Sequence, residues 1–286
     1  MPAPKTKVKV ALCQLLTTDN KDKNILTAQQ AIREAAGNGA EMVVLPEMWN
    51  CPYSNESFPT FAEDIEGDSS QSAAAMAEAA KQHGITLVAG SIPEKHAGRL
   101  YNTCLVYNKQ GQRLARFRKM HLFDIDIPGK ISFKESDTLT AGENISVVDT
   151  EAGRLGLGIC YDIRFPELAM IYARQGVQLI LYPGAFNMTT GPAHWELLTK
   201  ARAVDNQLFV GVCSPARNLE ASYHAWGHSM LVGPFGQILT SAEHEPGIIY
   251  ADLDYEEVEE RRKGMPLAAQ KRYDLYELAD KTASGK

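Results

Sequence analysis

The chain has 286 residues and a formal net charge of −6, with 44% hydrophobic and 22% charged residues. That composition supplies material for a sizeable core and excludes an intrinsically disordered chain. No apolar run approaches the roughly 20 residues of a membrane helix, and the longest cationic cluster, Arg113 to Lys119, is interleaved with apolar residues, so neither a membrane nor a nucleic acid is an expected partner.

The start, MPAPKTKVKV, lacks the apolar stretch of a secretory signal and is a poor transit peptide. KVKVALCQL then alternates as a strand does. NILTAQQAIREAAGNG sets Ile25, Ala28, Ile32 and Ala35 on one helical face before Gly37 and Gly39 stop it. EMVVLPE is a short buried-type strand ended by Pro46. After a polar loop, SSQSAAAMAEAAKQHG is a helix with serine caps and a terminal glycine, and ITLVAGSI is the next strand.

Two alternating runs between Tyr101 and Arg118 flank NKQGQ and predict a hairpin, and ISVVDTEAGRLGLGIC repeats the arrangement around EAGR. A helix (Pro166 to Gln175), a strand (Val177 to Tyr182), a helix (Ala193 to Asn206) and a strand (Leu208 to Cys213) follow. HSMLVGPFGQILTSA makes a third hairpin, GIIYADLD a strand, and YEEVEERRKG a charged, solvent-facing helix. Helix-linked strands mixed with hairpins argue for an α/β architecture of two sheets packed face to face with helices outside. With no linker or repeat, the chain reads as one domain over residues 1–286, with a core of about 7–276 and a loosely attached tail over 277–286 that ends in KTASGK.

Five cysteines (Cys13, Cys51, Cys104, Cys160, Cys213) are spaced widely, with no paired ligand spacing. They are expected to be reduced thiols in a cytoplasmic protein that holds no metal. One of them stands apart. In GLGICYDIRFPE, Gly156 and Gly158 bare one face of a strand, which marks the close approach of something else. Pro166 and Glu167 then suit the first turn of a helix. Cys160 thus lies at a strand end before a helix, a place open to solvent on one side where backbone N–H groups can hold an oxyanion.

A free thiol titrates near ~8.5 and a glutamate near ~4.3, so moving the proton between them costs roughly 5 to 6 kcal/mol. A cation beside the thiol and burial of the carboxylate would close that gap. Glu47 and Lys119 also stand at strand ends, Glu47 after VVLP and Lys119 after RLARFR. Alone, each reads as a surface charge; three such residues at three strand ends shift the balance. A cysteine–histidine dyad using His121, His194, His224 or His228 lacks a recognisable partner motif, and Asp162 stands where the G-x-C-x-G elbow requires glycine.

VVLPEMWNCPYS, RKMHLFDIDIPG and GICYDIRFPE together resemble the nitrilase, or carbon–nitrogen hydrolase, superfamily, in the family order and across nearly the whole chain. DIDIPGKISFKES and AFNMTTGPAHWELLTKARAVDNQ resemble its ω-amidase branch. The resemblance implies a four-layer α-β-β-α sandwich that forms a homodimer, no cofactor, and amide hydrolysis through a thioester. It places a Glu, Lys and Cys triad on Glu47, Lys119 and Cys160, with Glu135 holding Lys119 and the Tyr161 N–H helping Lys119 at the oxyanion. For a small amide ending in a carboxylate, such as 2-oxoglutaramate or succinamate, Arg164 is the expected anion partner, Tyr53 and Thr190 are hydroxyl donors, and Phe186 is a wall. A sibling amidase acting on deaminated glutathione or an N-carbamoyl compound, and a non-catalytic scaffold on the same fold, stay open at this point. So does a mitochondrial share of the protein.

Overall fold

The computed structural model describes residues 6–67 and 70–282. In chain order the elements are β1 (Lys7–Gln14), α1 (Lys21–Gly37), β2 (Met42–Val44), α2 (Ser57–Phe61), α3 (Gln71–His83), β3 (Thr86–His96), β4 (Arg99–Tyr107) and β5 (Arg113–Arg118). There follow β6 (Asp124–Ile127), β7 (Ile131–Lys134), β8 (Val147–Thr150), β9 (Gly153–Leu157), α4 (Pro166–Arg174), β10 (Leu179–Pro183), α5 (Gly191–Asn206) and β11 (Phe209–Cys213). The chain closes with β12 (Met230–Val232), β13 (Ile238–Ser241), β14 (Gly247–Asp254), α6 (Glu256–Gly264) and α7 (Leu267–Gln270).

Two six-stranded sheets result, ordered β14-β1-β2-β3-β4-β5 and β13-β12-β11-β10-β9-β8. Each has a parallel centre (β1, β2, β3 and β9, β10, β11) flanked by antiparallel strands. Alternation along β1 sorts its residues between two cores. Val8, Val10 and Leu12 face the second sheet, while Ala11 and Cys13 face α1 and α3. Fully burying a side chain of leucine size stabilises by about 1.5–3 kcal/mol, and the inter-sheet layer holds Leu12, Val44, Val88, Val106, Leu155, Leu157 and Leu181 together. Helices α1 and α3 cover the outside of the first sheet, and α4 and α5 that of the second. This is the expected α-β-β-α sandwich.

The predicted hairpins form as β4–β5, β8–β9 and β12–β13. Gly84, at φ 60°, closes α3 as expected, but the serine cap does not form: the Ser70 hydroxyl donates instead to Glu63 Oε2 at 2.7 Å. Helix α5 starts at Gly191, two residues before the sequence reading. The hairpin β6–β7 and the short helix α2 were not expected from the sequence. On the outer helix α6 only Val258 is buried. In the C-terminal segment, the Arg174 guanidinium donates to the Leu278 carbonyl and Gln175 Nε2 donates to Asp280 at 3.3 Å. Residues 283–286, the end of the expected tail, lie outside the described residues.

The glycines before Cys160 make room for rings. A Cβ on Gly156 would stand 2.8 Å from the Tyr172 ring, and one on Gly158 would stand 2.3 Å from the Tyr182 ring. The close approach expected on that strand face is therefore tyrosine packing from α4 and β10. The cationic stripe along β5 is paired: Arg113 and Arg116 bond Glu66 at 2.8 and 2.9 Å, and Arg118 bonds the buried Glu94. No helix among the described residues is long and apolar enough to cross a membrane.

Candidate active site

Strands β2 and β9 each sit in the parallel centre of a sheet, and Glu47 and Cys160 each lie three residues beyond their carboxyl ends. The loop carrying Glu47 is held by an irregularity in β3. At Gly90 (φ 57°) an added Cβ would lie 2.1 Å from the Pro46 carbonyl, so only glycine fits. Beside it the Ser91 N–H donates to that carbonyl at 3.1 Å, and the Ser91 hydroxyl accepts from the Met48 N–H at 3.1 Å.

Cys160 opens a short 3₁₀ turn, Cys160–Arg164. Its φ of 49° lies in the left-handed region, a strain of about 1–2 kcal/mol for a residue with a Cβ. Three contacts hold the turn. Asp162 Oδ2 accepts from the Ile159 N–H at 2.8 Å, and Asp162 Oδ1 accepts from the His121 N–H at 2.9 Å. Arg202, buried on α5, donates its Nε–H to the Ile163 carbonyl at 2.9 Å. Asp162 therefore ties the cysteine turn to the segment that carries Lys119.

The ionisable groups meet with almost no exposed surface. Glu47, Lys119 and Glu135 are each 0% exposed, and Cys160 is 3% exposed. The Lys119 ammonium donates to Glu47 Oε1 and to Glu135 Oε1, both at 3.0 Å. Glu47 Oε1 also accepts from Asn102 Nδ2 at 2.8 Å, and Oε2 from the Ala185 N–H at 2.8 Å. Glu135 Oε1 accepts from the Tyr53 hydroxyl at 2.6 Å, and Oε2 from the Phe123 N–H at 2.7 Å. The Cys160 thiol lies beside Glu47 and the same Ala185 N–H.

Burial, with the Glu135 charge behind it, raises the Glu47 carboxyl above its ordinary range against the pull of Lys119. Burial also works to lower Lys119, but Glu135 and Glu47 outweigh it and hold the ammonium well above the usual lysine value. Burial and then the Glu47 charge push the Cys160 thiol well up, and Lys119 only partly offsets them. The expectation of a thiol lowered by its cation is thereby corrected.

The expected pocket residues divide. Tyr53 is committed to Glu135, and its ring stacks on Tyr223 with centroids 4.5 Å apart. Tyr161 lies edge-on to Phe123 and Phe165. Arg164 lies over the Phe186 ring at 4.7 Å and over the Tyr161 ring at 5.5 Å, with Nη1 3.1 Å from His194 Nδ1. Its Nε is buried without a hydrogen-bond partner among the described residues, and desolvation lowers its pKa. Phe186 is buried against Trp195. Thr190 is drawn into the start of α5, where its N–H and hydroxyl both face Asn187 Oδ1, at 2.9 and 3.4 Å. As a free hydroxyl donor to substrate, Thr190 is not supported.

Three of the candidate histidines are engaged elsewhere: His121 Nδ1 lies 2.7 Å from Asp162 Oδ1, His194 Nδ1 lies 3.1 Å from Arg164 Nη1, and His228 stacks on Trp226. Asn102, Ala185 and Tyr223 were missed. Asn102 alone left a trace, as the one amide in an apolar alternating strand. A cavity of about 540 Å³ opens onto Glu47, Tyr53, Ala185 and Tyr223, and its outer wall includes Thr18, Lys23 and Asn218.

The carbon-nitrogen hydrolase family model matches residues 9–263. The chain is 59% identical over 283 residues to the chloroplastic omega-amidase of Arabidopsis thaliana, an alignment that covers 98% of this chain and 77% of that protein. It is 54% identical over 271 residues to omega-amidase NIT2 of Homo sapiens, covering 95% of this chain and 97% of that one. Among solved structures, Saccharomyces cerevisiae Nit3, a member of branch 10 of the nitrilase superfamily, superposes with a TM-score of 0.87 at 43% identity, over 94% of this chain and 98% of that chain.

Proposed function

The chain belongs to the carbon–nitrogen hydrolase family, and on that premise we propose that it is an ω-amidase that hydrolyses the terminal amide of 2-oxoglutaramate- or succinamate-type dicarboxylic monoamides. The observation that carries the reading is the buried Lys119 ammonium shared by Glu47 and Glu135 at 3.0 Å each, beside the Cys160 thiol. A lone buried lysine would be driven neutral. With two carboxylates beside it, it stays a fixed cation, and its charge is available to a developing oxyanion.

In this mechanism Glu47 takes the thiol proton as Cys160 Sγ attacks the amide carbon. Lys119 and the Tyr161 N–H receive the oxyanion. Collapse of the tetrahedral adduct breaks the C–N bond, and Glu47 returns the proton to the departing ammonia, leaving an acyl thioester. Glu47 then takes a proton from water, which attacks the thioester. The carboxylic acid leaves and the thiol recovers its proton. Glu135 and Tyr53 keep Lys119 in place throughout.

Arg164 supplies the charge for the substrate carboxylate. Its buried Nε has no hydrogen-bond partner among the described residues, and the guanidinium carbon lies 4.7 Å from the Phe186 ring centre and 5.5 Å from that of Tyr161, so its planar fork is left for a bidentate carboxylate. A homodimer is supported by an apolar groove of about 430 Å³ on the surface, where Val204, Phe235 (63% exposed) and Met265 lie together. Five free, buried cysteines fit a reducing compartment such as the cytoplasm.

The substrate assignment is tested by ammonia release from a panel of short dicarboxylic monoamides, deaminated glutathione and an N-carbamoyl amino acid. The highest kcat/KM is expected on a four- or five-carbon monoamide. A preference for either of the other two compounds would overturn the assignment.

A further inference from the structure

Tyr223 lies in the loop between β11 and β12, in the stretch ASYHAW, where nothing in the sequence pattern marks it. The structure nevertheless brings it to the reacting groups. Its ring is half-buried at the cavity wall, and desolvation, then the charges of Cys160 and Glu47, raise its pKa well above the usual tyrosine value against a smaller pull from Lys119. The hydroxyl therefore stays protonated and donates its hydrogen to the Ala185 carbonyl at 2.5 Å. The Ala185 N–H in turn donates to Glu47 Oε2 at 2.8 Å and lies within reach of the Cys160 thiol.

A hydrogen bond to the Ala185 carbonyl fixes the plane of the Ala185–Phe186 peptide and, through the Ala185 Cα, restrains the preceding peptide that carries the Ala185 N–H. Ala185 sits just after β10, next to Gly184, where an added Cβ would lie 3.1 Å from the Cys160 Cα. A small movement of this segment therefore shifts the base and the nucleophile together. The Tyr223 ring also stacks on Tyr53, whose own hydroxyl holds Glu135 and through it Lys119. Two stacked phenols thus brace the two halves of the site, one through Glu135 and one through Ala185.

We propose that Tyr223 is a positioning residue for the amidase reaction, its hydroxyl holding the Ala185 segment in the orientation that aligns Glu47 with Cys160. It touches no reacting atom, and its effect passes through a peptide. This proposal rests on the roles given above to Glu47 and Cys160 and adds a residue to them.

The test is Tyr223→Phe, which keeps the ring and its stack on Tyr53 and removes only the hydroxyl. Three quantities are compared with the parent chain: kcat and KM on 2-oxoglutaramate, the rate at which iodoacetamide alkylates Cys160 across pH, and the thermal midpoint. The expected result is a fall in kcat of roughly ten- to a hundredfold with KM held within about twofold, a parallel slowing of alkylation near neutral pH, and an unchanged thermal midpoint. A kcat within about twofold of the parent would overturn the proposal, because the ring alone would then suffice. So would a fall in kcat with unaltered alkylation, which would place the hydroxyl on the substrate and not on the thiol. Should the parent hydrolyse no monoamide, the amidase reading fails, while the alkylation comparison still judges Tyr223.

Discussion

At the scale of single residues, the site is a contest between burial and neighbouring charge. In the proposed mechanism Glu47 is the base, and burial raises its carboxyl above the ordinary glutamate range while the Lys119 charge opposes that rise. Glu47→Gln preserves the shape of the side chain and removes the base. It is expected to lower kcat by about 10²- to 10⁴-fold with the circular dichroism spectrum unchanged, and a loss below tenfold would remove Glu47 from the mechanism.

The pH profile follows from the same shifts. Only ionised Glu47 accepts the thiol proton, so kcat/KM falls on the acid side as Glu47 is protonated. With its pKa raised, that fall is centred above the ordinary glutamate value. Lys119 is held well above the usual lysine range, so loss of its charge produces no fall near neutral pH and the plateau extends to the alkaline side. A kcat/KM profile with its acid limb at or below the range of an exposed glutamate would contradict this assignment.

At the scale of elements, the chemistry depends on strand ends and on what packs behind them. Cys160 and Glu47 were legible because an apolar strand run stops abruptly on a polar residue, and the glycines of RLGLGIC announced a close contact. The partner of that contact was not legible, since Tyr172 and Tyr182 approach from α4 and β10, whose packing no local pattern specifies. Asn102, Ala185 and Tyr223 escaped for the same reason: a backbone N–H has no sequence signature, and an amide or phenol gains its role only from a distant partner. The hairpin β6–β7 escaped for another. Its strands DIDI and ISFK do alternate, but each over only four residues and with no side chain fully buried, too short and shallow a run to stand out.

One consequence is measurable in stability. Gly158→Ala places a Cβ 2.3 Å from the ring of Tyr182, which is 1% exposed. Overpacking of this kind costs about 1–3 kcal/mol. Urea unfolding of this variant should show its midpoint lowered accordingly. Because the displaced strand carries the nucleophile, kcat should fall as well. A variant of parental stability would mean that the Tyr182 ring moves aside freely.

At the scale of the whole molecule, two similar halves, each with a parallel centre, are pressed together so that the carboxyl ends of β2 and β9 meet at one edge. The sandwich was legible because strand, helix and hairpin signals alternate along the chain, and the resemblance in three ordered motifs named its layers. What no single chain encodes locally is how its outer face is covered. The exposed Phe235, with Arg261 lying over its ring at 4.4 Å, sits in a groove shared with Val204 and Met265. If the proposed homodimer forms through this groove, Phe235→Glu is expected to shift the protein toward the mass of one chain in light scattering behind a sizing column, because a buried unpaired charge there costs several kcal/mol. An unchanged dimer would exclude this groove from the interface, and a parent chain already monomeric would remove the dimer.

The most direct test of the whole account is the rate of ammonia release from 2-oxoglutaramate by Cys160→Ala beside the parent chain, with both proteins shown to be folded at the assay temperature. The account predicts turnover by the parent and none above background by the variant, since Glu47 and Lys119 remain in place with no sulfur to carry the acyl group. Sustained ammonia release by the variant would contradict it.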